Sequence, residues 1–214
     1  MIPYEQYPYN YHTLSNGIRL IHRYTPSQVA HLGITIDVGS RDEQPKQNGM
    51  AHFIEHCIFK GTTHRRSSRI LSRIDGVGGE LNAYTTKEEI VVYTTFLNSY
   101  YERATELLSD IVFNSTFPDK ELEKEKSVIL EEINSYEDSP AELIYDAFEK
   151  LVFGNTGLGR MILGTPEKVQ SFSSDSVKEF IKNKWFTNLM VISTVGNIDF
   201  DKWVKLCAQQ NYNG

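Results

Sequence analysis

The sequence predicts an α+β fold: a largely antiparallel sheet covered on one face by helices. Three observations predict it. Strand-like runs stand towards both ends of the 214-residue chain, within 12–38, 80–97 and 189–195. A mainly helical block runs between them, from Tyr100 to about Phe153. No internal repeat, low-complexity tract or linker interrupts the chain, and an apolar content of 40% suffices to bury one sizeable core. One unit spanning residues 1–214 is therefore expected.

The elements follow in order. Residues 12–22 read as a hairpin-like turn at Asn16-Gly17 feeding a strand, because Asn-Gly readily takes the positive φ of a tight turn. His31 to Val38 is a second strand, stopped by Gly39-Ser40. Met50, Phe53, Ile54, Cys57 and Ile58 recur at helical spacing, and Gly61 stops that helix. A short helix is expected from Ser67 to Val77, broken by Gly78-Gly79. Strands at 80–86 and 90–97 are joined by Lys87-Glu88-Glu89. Within the helical block, Asp119 is the expected cap of a long acidic helix reaching about Glu137, and Pro140 opens the next. A helix at Asp175 to Trp185 and a buried strand at Leu189 to Val195 complete the reading.

Charge and composition exclude several classes. The net charge of −6 and pI near 5.5 argue against a nucleic-acid binder, which needs clustered Lys and Arg against phosphates. The one basic stretch, His64-Arg65-Arg66 with Arg69 and Arg73, reads as a solvated loop and helix face. Cys57 and Cys207 make no disulfide framework, and Cys57 lies inside an apolar helical run. The first six residues have neither the basic nor the apolar segment of a signal peptide, and no run of about 18 apolar residues would span a membrane. A cytoplasmic protein without membrane contact is the expectation.

The chemistry concentrates in His52-x-x-Glu55-His56. Residues four apart share a helix face, with Cβ atoms about 5–6 Å apart. Two imidazoles there can converge on one zinc at about 2.0–2.1 Å. Glu55 can reach a water that zinc acidifies towards a pKa of about 7, and take its proton during attack on a carbonyl. The pattern alone occurs by chance in roughly one chain in a hundred of this composition. Its plain alternative is two histidines flanking a half-buried helix. Catalytic zinc usually takes a third protein ligand. The acidic helix offers Glu121, Glu123, Glu125, Glu131 and Glu132, of which Glu125 and Glu132 lie seven apart on nearly one face. Spacing does not choose among them, and most are expected to form a solvated face.

The surroundings of the motif carry a resemblance. Residues 49–62, Gly-Met-Ala-His-Phe-Ile-Glu-His-Cys-Ile-Phe-Lys-Gly-Thr, resemble the signature of the pitrilysin-type (M16) zinc metallopeptidases almost position by position. That inverzincin family includes insulin-degrading enzyme and the mitochondrial processing peptidase. Residues 79–85 resemble its substrate-strand motif and residues 125–133 its distal glutamate helix. Leu163-Gly164-Thr165-Pro166-Glu167 and Val195-Gly196-Asn197-Ile198 resemble later landmarks, so the resemblance spans nearly the whole chain in order. The 155–160 region is a looser match and is given no role.

The resemblance implies roles residue by residue. His52, His56 and Glu132 would bind one Zn²⁺ per chain, and Glu55 would be the general base. Glu125 sits where the family keeps a carboxylate that orients the ligands. Asn82, Ala83 and Thr85 lie on the strand that the family uses to hold an extended peptide substrate. Members pair two homologous domains of about this size, the second supplying an Arg and a Tyr near the scissile bond. Here the chain is expected to be the first, catalytic half. Its end at Asn211-Tyr212-Asn213-Gly214 reads as a truncation, with the other half supplied by further chain or by a partner subunit. The oligomeric state, a homodimer included, stays open. The implied activity is zinc endopeptidase action on peptides or unfolded segments. The alternative is a noncatalytic subunit of the same family that binds a partner or leader peptide.

Overall fold

The computed structural model describes residues 7–210 and 212. The expectations about the first six residues, and about Asn211, Asn213 and Gly214 at the other end, lie outside the described residues.

Among the described residues six strands form one sheet: β1 (Tyr9–Thr13), β2 (Arg19–Tyr24), β3 (Val29–Ile36), β4 (Glu80–Thr85), β5 (Ile90–Leu97) and β6 (Met190–Gly196). Their order is β1-β2-β6-β3-β5-β4. Every pairing is antiparallel except β2 with β6, so the expected largely antiparallel sheet is present. The expected hairpin joins β1 to β2. Gly17 supplies a φ of 93° there, and Asn16 Oδ1 accepts from the Ile18 N–H.

Eight α-helices among the described residues are interspersed with these strands: α1 (Met50–Cys57), α2 (Ser67–Asp75), α3 (Tyr101–Asn114), α4 (Asp119–Glu137), α5 (Pro140–Phe153), α6 (Pro166–Ser171), α7 (Ser174–Lys184) and α8 (Phe200–Ala208). The sheet's alternation shows why they gather on one face. Ala30, Leu32, Ile34 and Ile36 of β3 and Ile90, Val92 and Phe96 of β5 point the same way and are buried. Their neighbours His31, Thr35, Tyr93 and Thr95 point the other way and remain at least partly open. On the buried side α3 lies across β3 and β5, α1 and α2 pack on β4, and α8 packs on β2.

Local expectations were met with three differences. Asp119 is not the cap of α4. Pro118 takes that position with extended backbone, its φ of −66° fixed by the ring, and Asp119 is the first helical residue. The Asp119 carboxylate instead accepts from the Ser174 N–H at the start of α7, at 3.3 Å. The basic stretch is not wholly solvated. Arg65 is largely enclosed and pairs with Asp110 and Glu106, each at 2.5 Å, and Arg73 joins Glu106 at 3.0 Å. Two helices were not foreseen: α6 is too short to show a period, and α8 buries only Trp203 and Cys207, four residues apart. Both cysteines are free and buried. No helix among the described residues is long and apolar enough to cross a membrane.

Candidate metal centre

Helix α1 is anchored before it begins. Gly49 caps it with a φ of 98°, in the left-handed region that suits glycine, and an added Cβ would lie 2.8 Å from the Leu163 carbonyl. The carboxylate of Glu43 accepts from the Gly49 N–H at 2.9 Å and the Ala51 N–H at 2.8 Å, satisfying two donors of the first turn. Asn48 adds a bond to Glu43 and another to the Met161 carbonyl. Burial pushes the Glu43 carboxyl up to about 7, against the bonds from Ala51, Gly49 and Asn48 and the charge of Arg160. Met50, Phe53, Ile54 and Cys57 sink into the core, and Phe53 meets Phe172 edge-on at 5.3 Å. This packing fixes the rotation of the short helix and so the direction of its two imidazoles.

The rings of His52 and His56 stand 4.6 Å apart at 69°. Helix α4 packs on α1 and buries Leu122, Lys126, Ile129 and Ile133, a helical stripe. Glu132 projects beside that stripe. Its Oε2 lies 3.2 Å from His56 Nε2 and 3.6 Å from His52 Nε2. The three side chains offer ligand atoms all within 4.8 Å of one another. A tetrahedral zinc with bonds of about 2.0–2.1 Å needs ligand atoms roughly 3.4 Å apart. The two imidazole–carboxylate spacings bracket that value. Two neutral nitrogens and one carboxylate oxygen are also a donor set that suits zinc. The residues present therefore fit the ion.

Electrostatics point the same way. Burial, then the neighbouring His52, lowers the affinity of His56 for a proton, with Glu132, Glu55 and Glu125 opposing. The His52 imidazole, ahead of other causes, holds the Glu132 carboxyl below its ordinary value. The other nitrogen of the His56 ring, Nδ1, faces Glu125 Oε2 at 3.6 Å, and Glu125 Oε1 takes the Lys60 ammonium at 2.6 Å. His52 Nδ1 is buried without a hydrogen-bond partner among the described residues.

Glu55 lines a cavity of about 630 Å³ together with His52, Glu132, Tyr84, Thr85 and Lys87. Thr85 Oγ1 also donates to the Ala51 carbonyl at 3.4 Å, tying β4 to α1. Asn82 and Ala83 lie further along β4 and do not line this cavity; the Asn82 side-chain oxygen accepts from the Ala83 N–H at 2.8 Å. β4 ends the sheet order, so one of its edges has no strand partner among the described residues. A cavity of about 700 Å³ elsewhere, lined by Phe113, Lys182, Trp185 and Tyr212 among others, contains none of these residues.

Sequence reasoning passed over four residues of this neighbourhood. Tyr136 lies one helical turn beyond Glu132, and that spacing was a usable signal. Lys60 and Lys87 act on partners far away in the chain, and nothing local marks them. The Glu43 carboxylate acts on Asn48, Gly49 and Ala51, five to eight residues on, and an acid just ahead of a helix start was a usable signal.

The comparisons agree with the geometry. The family described as Insulinase (Peptidase family M16) matches residues 19–166. The chain belongs to this peptidase family. It is 39% identical over 199 residues to the zinc protease YmxG of Bacillus subtilis, covering 90% of this chain and 49% of that protein. It is 37% identical over 202 residues to the beta subunit of the mitochondrial-processing peptidase of Dictyostelium discoideum, covering 94% of this chain and 43% of that subunit. The M16 fold is shared with a Helicobacter pylori protease, at a TM-score of 0.91 and 20% identity, over 96% of this chain and 50% of that one. It is shared too with the first half of the Escherichia coli periplasmic protease PqqL, at a TM-score of 0.85 and 23% identity, over 96% and 47%. The chain thus spans about half the length of the M16 relatives it matches. Their names include mitochondrial and periplasmic proteins, so family membership does not fix the compartment.

Proposed function

We propose that this M16 chain is the catalytic half of a zinc-dependent endopeptidase that hydrolyses peptides or unfolded protein segments. The observation that carries this reading is the convergence of His52 and His56 from α1 and Glu132 from α4 on one point. These three residues would hold one zinc ion per chain, which when bound supplies Lewis acidity, lowering the pKa of a water towards about 7 and polarising the scissile carbonyl.

The chain's own groups do the rest. Glu55, three residues after His52 and on the same cavity wall, takes the proton of the attacking water on a carboxylate oxygen. The same carboxyl then returns a proton to the departing amine nitrogen. Glu125 orients His56 through the ring nitrogen turned away from Glu132. An extended substrate adds to the unpaired edge of β4, where main-chain hydrogen bonds hold it beside Asn82, Ala83 and Thr85. Full activity needs a second homologous half, from further chain or a partner subunit, because one wall alone leaves the carbonyl incompletely positioned.

The test is Glu55→Gln, assayed for peptide cleavage with the second half present and for bound zinc. Cleavage is expected to vanish while one zinc per chain remains. Cleavage that persists in this variant would refute the assigned base.

A further inference from the structure

The geometry points to Lys87 as a positioning residue: its ammonium, rather than apolar packing, holds α5 in place as a wall of the cavity lined by His52, Glu55 and Glu132. That this cavity receives substrate rests on the proposed peptidase reading; the tether itself does not.

The first observation is that α5 lacks a buried face. None of its residues is buried, and Ile144, Phe148, Leu151 and Val152 are exposed. A helix of this length is marginal by itself and ordinarily relies on an apolar face for its place. Yet Glu142, Tyr145, Asp146 and Glu149 of α5 line the same cavity as His52, Glu55 and Glu132. Among the described residues, polar contacts rather than hydrophobic burial remain to set their positions.

The second observation is the set of oxygens around Lys87 Nζ. It donates to the carbonyls of Leu158 at 2.9 Å and Arg160 at 3.0 Å, in the segment after α5. From α5 itself, Asp146 Oδ1 lies at 3.4 Å and Glu149 pairs with the same nitrogen. An ammonium has three donors, so four oxygens saturate it. The side chain is only 13% exposed, and two carboxylates offset the cost of removing its charge from water.

The third observation is that both ends of the tether are fixed. The turn carrying Lys87 is pinned by bonds from the Ser40 N–H to the Thr86 carbonyl and from the Arg41 N–H to the Lys87 carbonyl. At the far end Asp146 also receives the Tyr136 hydroxyl at 2.6 Å, and Tyr136 follows Glu132 by one turn of α4. The Arg160 guanidinium donates to the Glu43 carbonyl at 2.6 Å, and the Glu43 carboxylate caps α1. A chain of polar contacts thus runs from the helix bearing Glu132, through α5 and Lys87, to the helix bearing His52 and His56.

The test is Lys87→Met, which keeps the apolar stem and removes the charge. Amide hydrogen exchange of the 214-residue chain should show α5 and residues 156–160 exchanging at least about tenfold faster, with α1 unchanged. Zinc content should stay at the wild-type value. With the second half present, KM for peptide should rise severalfold while kcat changes little, and Lys87→Arg should restore much of both effects. Glu149→Gln, which removes one α5 end of the tether without touching the turn, should loosen α5 in the same direction. Unchanged exchange of α5 in both Lys87→Met and Glu149→Gln overturns the proposal. A raised KM without faster exchange also overturns it, because Lys87 would then touch substrate directly. Loosening of α5 in a chain that proves to have no peptidase activity would uphold the tether and defeat only the peptidase reading.

Discussion

Replacing Glu125 by Gln is expected to weaken zinc binding about 10- to 100-fold, the usual loss when a carboxylate behind a metal-ligating histidine is removed. The structure explains the size. One oxygen of Glu125 faces His56 Nδ1 at 3.6 Å and the other takes the Lys60 ammonium at 2.6 Å. Both contacts call for an acceptor, and a Gln side chain keeps only one acceptor oxygen for the two. At 3.6 Å the His56 approach is electrostatic rather than a hydrogen bond, and Gln removes the negative charge that faces the ring. A tenfold change in affinity is about 1.4 kcal/mol. The one to two decades expected on losing that charge correspond to about 1.4–2.8 kcal/mol. The assay is competition for zinc against a chromophoric chelator at neutral pH, with circular dichroism to establish that the fold is intact. Glu132→Gln, which removes a proposed ligand, is measured beside it and should lose more. Affinity within twofold of wild type in a folded Glu125→Gln chain would refute the orienting role. A loss as large as that of Glu132→Gln would place Glu125 among the direct ligands instead.

Two further outcomes are expected. Phe53→Ala should cost about 3–5 kcal/mol in urea unfolding, because Phe53 is fully buried and packs edge-on against Phe172; a cost below about 1 kcal/mol would show that α1 is not held by this contact. Asp110 sets an acid limit. Burial alone would raise its carboxyl, but the bonds from His64, Thr62 and Arg65 outweigh burial and hold it below its ordinary value. The unfolded chain then binds its proton first on acidification, so this contribution is complete above the unfolded value of about 3.9 and is lost as pH falls towards the folded one. Urea midpoints of wild type and Asp110→Asn should converge as pH drops below about 4, and a gap that does not change with pH would exclude the mechanism.

Much of the site was legible because its signals are local. The repeat of Met50, Phe53, Ile54 and Cys57 makes a helix of α1, and the four-residue spacing of His52 and His56 puts both rings on one side of it. Gly49 and Gly17 mark the positive φ values that bound α1 and the β1–β2 hairpin. The block of acidic residues in α4 was readable as a helix, but its ligand was not, since this 19-residue helix spreads its glutamates over several directions around its axis. The resemblance to the M16 pattern, rather than periodicity, singled out Glu132.

What the sequence by itself determined is therefore most of the elements, α6 and α8 excepted, the pair of histidines with Glu55 between them, and the family pattern that names their partners. Tertiary structure decided which carboxylate meets the histidines, the parallel pairing of β2 with β6, and the gathering of α5 and residues 158–160 around Lys87. The physical reason is range. Helical and strand periods record which way neighbouring side chains point. Contacts such as Lys87 with Arg160 join residues 73 apart, and they exist only once the core has set the distance between the elements that carry them.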